Sequence, residues 1–170
     1  MTHKKAFSII ELLLVLAIFG AILLIIMPFG RGLIGKNRAQ AHTDELRAGL
    51  RFARAAAIGL GESVKFCGSK NHKECDGLWG EGQIIVTESN KVLRVLSEIP
   101  VGDKLVWRGS CGEKDTIIFS QAGLPNGQRG SFYYCPKNDP ENAVAVTMDV
   151  TGRVRVANKT TKGESISCDL

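Results

Sequence analysis

The chain has 170 residues and a formal net charge of +5; setting aside an apolar start leaves roughly 135 residues, enough for one globular domain with a moderate core and too few for a second. A surplus that small is a weak pointer to an anionic partner, so the placement of the charges matters more than their total. Cys67, Cys75, Cys111, Cys135 and Cys168 all follow the apolar start, as in an exported domain that meets an oxidising compartment and forms one or two disulfides.

The first predicted element runs from Lys4 to Phe29, two lysines followed by a near-continuous apolar stretch. Phe7 to Phe29 is 23 residues, which as a helix covers about 34 Å against a hydrocarbon core of about 30 Å. That is the length of a single membrane helix. A secretory signal places its small-residue cleavage site after the apolar region, whereas here the small residue beside the basic start is Ala6, in front of it. Any cut therefore precedes the apolar run. Glu11 is the costly residue inside that run, at about 2.5 to 3.5 kcal/mol in hydrocarbon. A free amine at Phe7, on the same or a neighbouring subunit, would partner it.

The stretch Ala6-Phe7-Ser8-Ile9-Ile10-Glu11-Leu12-Leu13-Leu14-Val15-Leu16-Ala17-Ile18 resembles the type III signal of type IV pilins and type II secretion pseudopilins. The resemblance implies that prepilin peptidase cuts between Ala6 and Phe7 and N-methylates Phe7, with Glu11 acting in assembly. Ala6 stands where the family most often has Gly, which keeps a small residue at the cut. Pro28 matches the family's usual proline, where a kink or melted turn is expected because proline removes a backbone donor.

Beyond Gly35, Leu46, Leu50, Ala53, Ala57 and Leu60 recur at helical spacing and define one face. Arg47, Arg51 and Arg54 fall on another, read first as a solvated face and second as a contact for other subunits or an anionic ligand. Gly59 and Gly61 supply the stop. Short β-rich runs follow, predicted at Ser63 to Cys67, Gln83 to Thr87, Val92 to Leu96, Lys104 to Arg108, Thr116 to Ser120, Ser131 to Cys135, Ala143 to Met148 and Arg153 to Val156. Turns are expected at Ser89-Asn90-Lys91 and Val150-Thr151-Gly152. The predicted fold class is α+β, one long helix packed on antiparallel sheet.

Val64-Lys65-Phe66-Cys67, Cys75, Trp79, Gly82-Gln83-Ile84-Ile85-Val86 and Thr151-Gly152-Arg153-Val154-Arg155-Val156 together resemble the GspH/FimT-type minor pilins. That resemblance implies the type IV pilin-like fold. It also implies a subunit that primes or caps a filament, working among major and minor pilins; some members with basic C-terminal regions bind DNA for natural transformation.

Catalysis finds little footing. No nucleophile elbow, phosphate loop or paired carboxylates stand out. Cys67, His72 and Cys75 give three metal-type side chains on one loop without a fourth, so no metal and no cofactor are expected. Five cysteines leave several two-bridge patterns open. The expected one is Cys67 with Cys75, closing a local loop, and Cys135 with Cys168, tying down the tail, with Cys111 spare.

The functional candidate is Gly152-Arg153-Val154-Arg155. On a strand, Arg153 and Arg155 share one face while Val154 and Val156 point to the core, so the guanidinium groups stand about 6.6 to 7 Å apart, close to the span between neighbouring phosphates on one DNA strand. Each guanidinium offers a donor fork to phosphate oxygens, and Gly152 lets backbone approach a ligand. Lys159 and Lys162 are the expected helpers, with Arg129 and Lys137 in flanking loops. The competing reading of the two arginines is a solubilised edge strand, or pairs with acidic groups of the next subunit.

These observations lead to an expected organisation: 1–6 a leader, 7–29 a transmembrane and assembly helix, 30–61 its amphipathic continuation, and 62–170 a β-rich globular domain. The expected protein is a minor type IV pilin, held in the inner membrane with its globular domain in the periplasm and later displayed on a surface pilus, where it binds DNA without sequence preference. The alternative is a structural pseudopilin of a type II secretion system that binds other pilin-like subunits alone.

Overall fold

The computed structural model describes residues 8–110, 115–137, 139–159, 163 and 165–168, without the side chains of 24–34. Ala6 and Phe7 of the expected processing site, the expected spare Cys111, and Lys162 lie outside these residues.

Helix α1 (Ile9–Leu60) is 52 residues long and opens on Ser8, whose carbonyl accepts from the amides of Glu11 at 3.1 Å and Leu12 at 3.2 Å. It is unbroken at Pro28, so the melted turn expected there is absent. The chain divides into two compact units at Ile34 and Gly35. In the first, the large apolar side chains from Ile9 to Leu23 are exposed, and Glu11 lies in the first turn. Among the described residues no helix is long and apolar enough to cross a membrane.

In the second unit the helix buries Ala39, Leu46, Leu50, Ala53 and Ala57, the face that the spacing predicts. Leu60 departs from it, at 54% exposed. The helix has outrun its sheet by that point and stops one residue on at Gly61, φ +67°, whose amide bonds the Ala57 carbonyl at 3.0 Å. Gly49 serves close approach, since a Cβ there would stand 2.8 Å from Leu96 Cδ2.

Eight strands follow: β1 (Val64–Gly68), β2 (Gln83–Thr87), β3 (Val92–Leu96), β4 (Lys104–Gly109), β5 (Thr116–Phe119), β6 (Gly130–Cys135), β7 (Val144–Met148) and β8 (Val154–Ala157). They form antiparallel sheet, as expected, divided in two, in the orders β3-β2-β1-β5 and β4-β6-β7-β8. The reason is visible at β5. Its outer edge is met by a side chain instead of a strand: buried Gln128 accepts from the Ile118 amide at 2.8 Å and donates to the Thr116 carbonyl at 2.9 Å. Backbone groups satisfied in this way have no need of another strand, and the sheet ends there.

Both sheets and the helix share one core. At its centre the fully buried Phe132 ring of β6 meets Trp107 of β4 at 4.6 Å between centroids, Trp79 at 4.8 Å and Phe66 of β1 at 6.0 Å. Disulfides join Cys67 to Cys75 and Cys135 to Cys168, across sequence separations of 8 and 33.

A polar cluster fastens the helix to the second sheet. The Tyr134 hydroxyl donates to Asp103, which also accepts from the Lys137 amide at 2.9 Å and lies 3.7 Å from Arg38. His42 stacks on Tyr134 at 5.4 Å, and its Nδ1 is 3.9 Å from Glu45. Burial holds the His42 pKa below its ordinary 6.5, with Arg38 adding to the effect and Glu45 and Asp103 opposing it. The unfolded chain therefore takes up the proton first as the pH falls. The His42 contribution is complete above about pH 6.5 and is lost progressively below it, down to the folded-state value. The melting temperature is expected to fall between about pH 7.5 and pH 5.5. A His42→Phe variant, which keeps the stacked ring, should show a flatter profile over the same interval.

Candidate functional site

The β7–β8 turn is built by one carboxylate. Asp149 Oδ1 accepts from the Thr151 amide at 2.9 Å, the Thr151 hydroxyl at 2.6 Å and the Arg153 amide at 3.0 Å. The Asp149 carbonyl takes the Gly152 amide at 2.9 Å, and the Asp149 amide bonds the Arg153 carbonyl at 3.1 Å. The hydroxyl bond from Thr151, then the Arg153 amide, hold the Asp149 pKa below its ordinary value. That carboxylate is thereby committed first to the turn, and the nearby Arg153 charge adds a smaller pull in the same direction.

Gly152 has φ +75°, a conformation that side chains rarely adopt. It is buried, and the space where its side chain would be faces inward: an ideal Cβ would stand 3.4 Å from Arg54 Nη1 and 3.5 Å from Phe119 Cε1 and Pro125 Cδ. The positive φ is what calls for glycine here, since a Cβ would meet these atoms at ordinary contact distance.

Arg153 and Arg155 are exposed on either side of buried Val154. Among the described residues neither has a carboxylate within ion-pair distance. Val156 departs from expectation, at 38% exposed. It borders a small cleft of about 100 Å³ with Ala39 and Thr43, which no side chain fills.

The other basic residues separate by register. Gly130 pairs with Met148 and Met148 with Val154, so Arg129 belongs to the Arg153 end of the sheet. Tyr134 pairs with Val144 and Ala145 with Ala157, so Lys137 and Lys159 belong to the opposite end. Lys159 is exposed and bridges to Ser165 in a small antiparallel return. Arg153 to Lys159 spans about 20 Å along the edge.

Spacing alone does not reveal what lies across the turn. A groove of about 570 Å³ is lined by Arg51, Arg54 and Ile58 of α1, by Leu124, and by Gly152 and Arg153. Arg51 is exposed and Arg54 half-buried. The one sequence signal for them is their spacing of three on a single helical face; their proximity to Gly152 is a product of the fold.

The sequence profile of a family described as GspH, type II transport protein GspH, matches residues 42–152, ending one residue short of Arg153. Among solved structures the chain is similar to the Pseudomonas aeruginosa type IV minor pilin FimU in two crystal forms. In the first, identity is 21%, with 71% of this chain and 89% of that chain covered and a TM-score of 0.56. In the second the values are 21%, 69%, 91% and 0.52. The minor pseudopilin EpsH of the Vibrio cholerae type 2 secretion system aligns at 13% identity over 71% of this chain and 96% of that one, with a TM-score of 0.49. No curated protein matches. The likeness to FimU shows the type IV pilin-like fold.

Proposed function

The chain belongs to the GspH family of pilin-like proteins, and on that premise we propose that this minor pilin binds DNA through the outer face of β8, for uptake in natural transformation. The observation that carries the reading is the pair Arg153 and Arg155, both exposed at an edge strand, neither with a carboxylate within ion-pair distance among the described residues. Asp149, the nearest carboxylate in sequence, is occupied with the turn. Lys159, exposed past the end of β8, extends the positive edge, and Lys162 is proposed as its helper from the sequence alone.

Such contacts reach phosphates and not base edges, so binding is independent of sequence and falls with salt at a slope of about −0.9 per phosphate neutralised. An Arg153→Gln/Arg155→Gln variant of the full chain is expected to bind duplex DNA about tenfold more weakly and with a salt slope shallower by about 1.8. Equal affinity at equal salt would remove both arginines from the site.

The rest of the chain serves assembly with other pilin-like subunits. Prepilin peptidase removes 1–6 by cutting between Ala6 and Phe7 and methylates Phe7. Residues 7–29 hold the subunit in the inner membrane with 62–170 in the periplasm, and 30–61 continue the helix. Glu11 sets register by pairing with the new amine of a neighbouring Phe7 as the subunit leaves the bilayer for the pilus. The family's own description as a type II transport protein favours a second reading, a pseudopilin that contacts pilin-like subunits alone. It predicts no salt-dependent DNA affinity, and loss of secretion when the protein is deleted.

A further inference from the structure

We infer that the groove between α1 and the β7–β8 turn is a second phosphate seat, and that DNA bound along β8 continues across Gly152 onto Arg54 and Arg51 of the helix. The inference rests on the DNA-binding reading above. Three guanidinium groups from two distant parts of the chain line one groove, and no Asp or Glu is among its lining residues. Arg54 Nη1 approaches the Gly152 Cα side closely enough that a Cβ would touch it at 3.4 Å, so the helix arginine sits directly beside the start of the β8 line. Arg51 and Arg54, three residues apart, share a helical face.

Like charges gathered in one groove repel one another, an arrangement that an anion relieves, and Asp149 of the turn feels Arg153 alone among them. Arginine suits this position because its planar fork meets phosphate oxygens in pairs. The remaining walls are mostly aliphatic, Ile58 and Leu124 among them. They fit a sugar edge, while the guanidinium groups reach phosphates, contacts that carry no base information. The volume of about 570 Å³ is within the range of sites that take small ligands, ample for a phosphodiester and its sugar.

Duplex DNA titrations of the full chain over a range of salt test this directly. Arg51→Gln/Arg54→Gln is expected to weaken binding about tenfold and to make the salt slope shallower by about 1.8, as two lost phosphate contacts require. Arg51→Glu, an exposed substitution that leaves the half-buried Arg54 in place, should weaken it at least as much as Arg51→Gln, which keeps the result interpretable if the double variant folds poorly. If the helix variants bind like wild type while Arg153→Gln/Arg155→Gln loses affinity, the groove is not a phosphate seat and the β8 reading stands. If wild type itself shows no salt-dependent affinity, both fall together.

Discussion

Replacing Phe132 by alanine is expected to cost about 3 to 5 kcal/mol, the range for a large aromatic removed from a packed core. Phe132 is fully buried, and its neighbours come from both sheets: Trp107 on β4 beside it, Phe66 on β1 across the core, and Trp79 from the β1–β2 connection. Since β5 ends the first sheet against the Gln128 side chain, no strand pairing among the described residues continues from one sheet into the other. The sheets are joined through side-chain packing, and the Phe132 ring is central to it. Truncation loses the transfer energy of the ring and leaves a cavity that three large rigid rings are poorly shaped to fill. Urea unfolding should show a lower midpoint at unchanged m. A loss below about 1 kcal/mol would mean that the surrounding rings collapse into the space and that Phe132 does not join the sheets.

Removing the Cys135–Cys168 disulfide, as Cys135→Ser/Cys168→Ser, is expected to cost about 3 to 4 kcal/mol, from loop closure over a separation of 33 residues. The same substitution at Cys67 and Cys75, separated by 8 residues, should cost about 1 kcal/mol less, because the constraint on the unfolded chain grows with the logarithm of the loop. The long bridge also ties the end of β6 to the tail that carries Lys159 and its return to Ser165. Arg153 and Arg155 lie upstream, next to and within the hydrogen-bonded register of β8. Opening this bridge should therefore reduce DNA affinity less than losing the two arginines does. Denaturant midpoints of the two bridge variants, with DNA titrations of the first, provide the check. Equal costs for the two bridges would show that strain or residual structure, and not loop length, governs them.

Local signals carried much of the fold. The helical recurrence of Leu46, Leu50, Ala53 and Ala57 marks the face that is buried, and every predicted strand overlaps an observed one within a residue or so at either end. Both rest on periods of a few residues, which packing reinforces. Leu60 continues the helical period yet is exposed, because a period cannot say where the sheet beneath it ends. Val156 continues the strand alternation and still opens onto a cleft, for the same reason.

By itself the sequence determined the long helix with its apolar start, the strands and their turns, and the pilin-like class. The tertiary structure alone decided that the strands divide into two sheets, since it places the Gln128 side chain on the edge of β5. It alone separated the basic residues, sending Arg129 to the Arg153 end of the second sheet and Lys137 with Lys159 to the other. It alone brought Arg51 and Arg54 beside Gly152. Periodicity and turn chemistry act over a few bonds and are written along the chain, whereas edge pairing and the convergence of charges depend on which distant segments the core presses together.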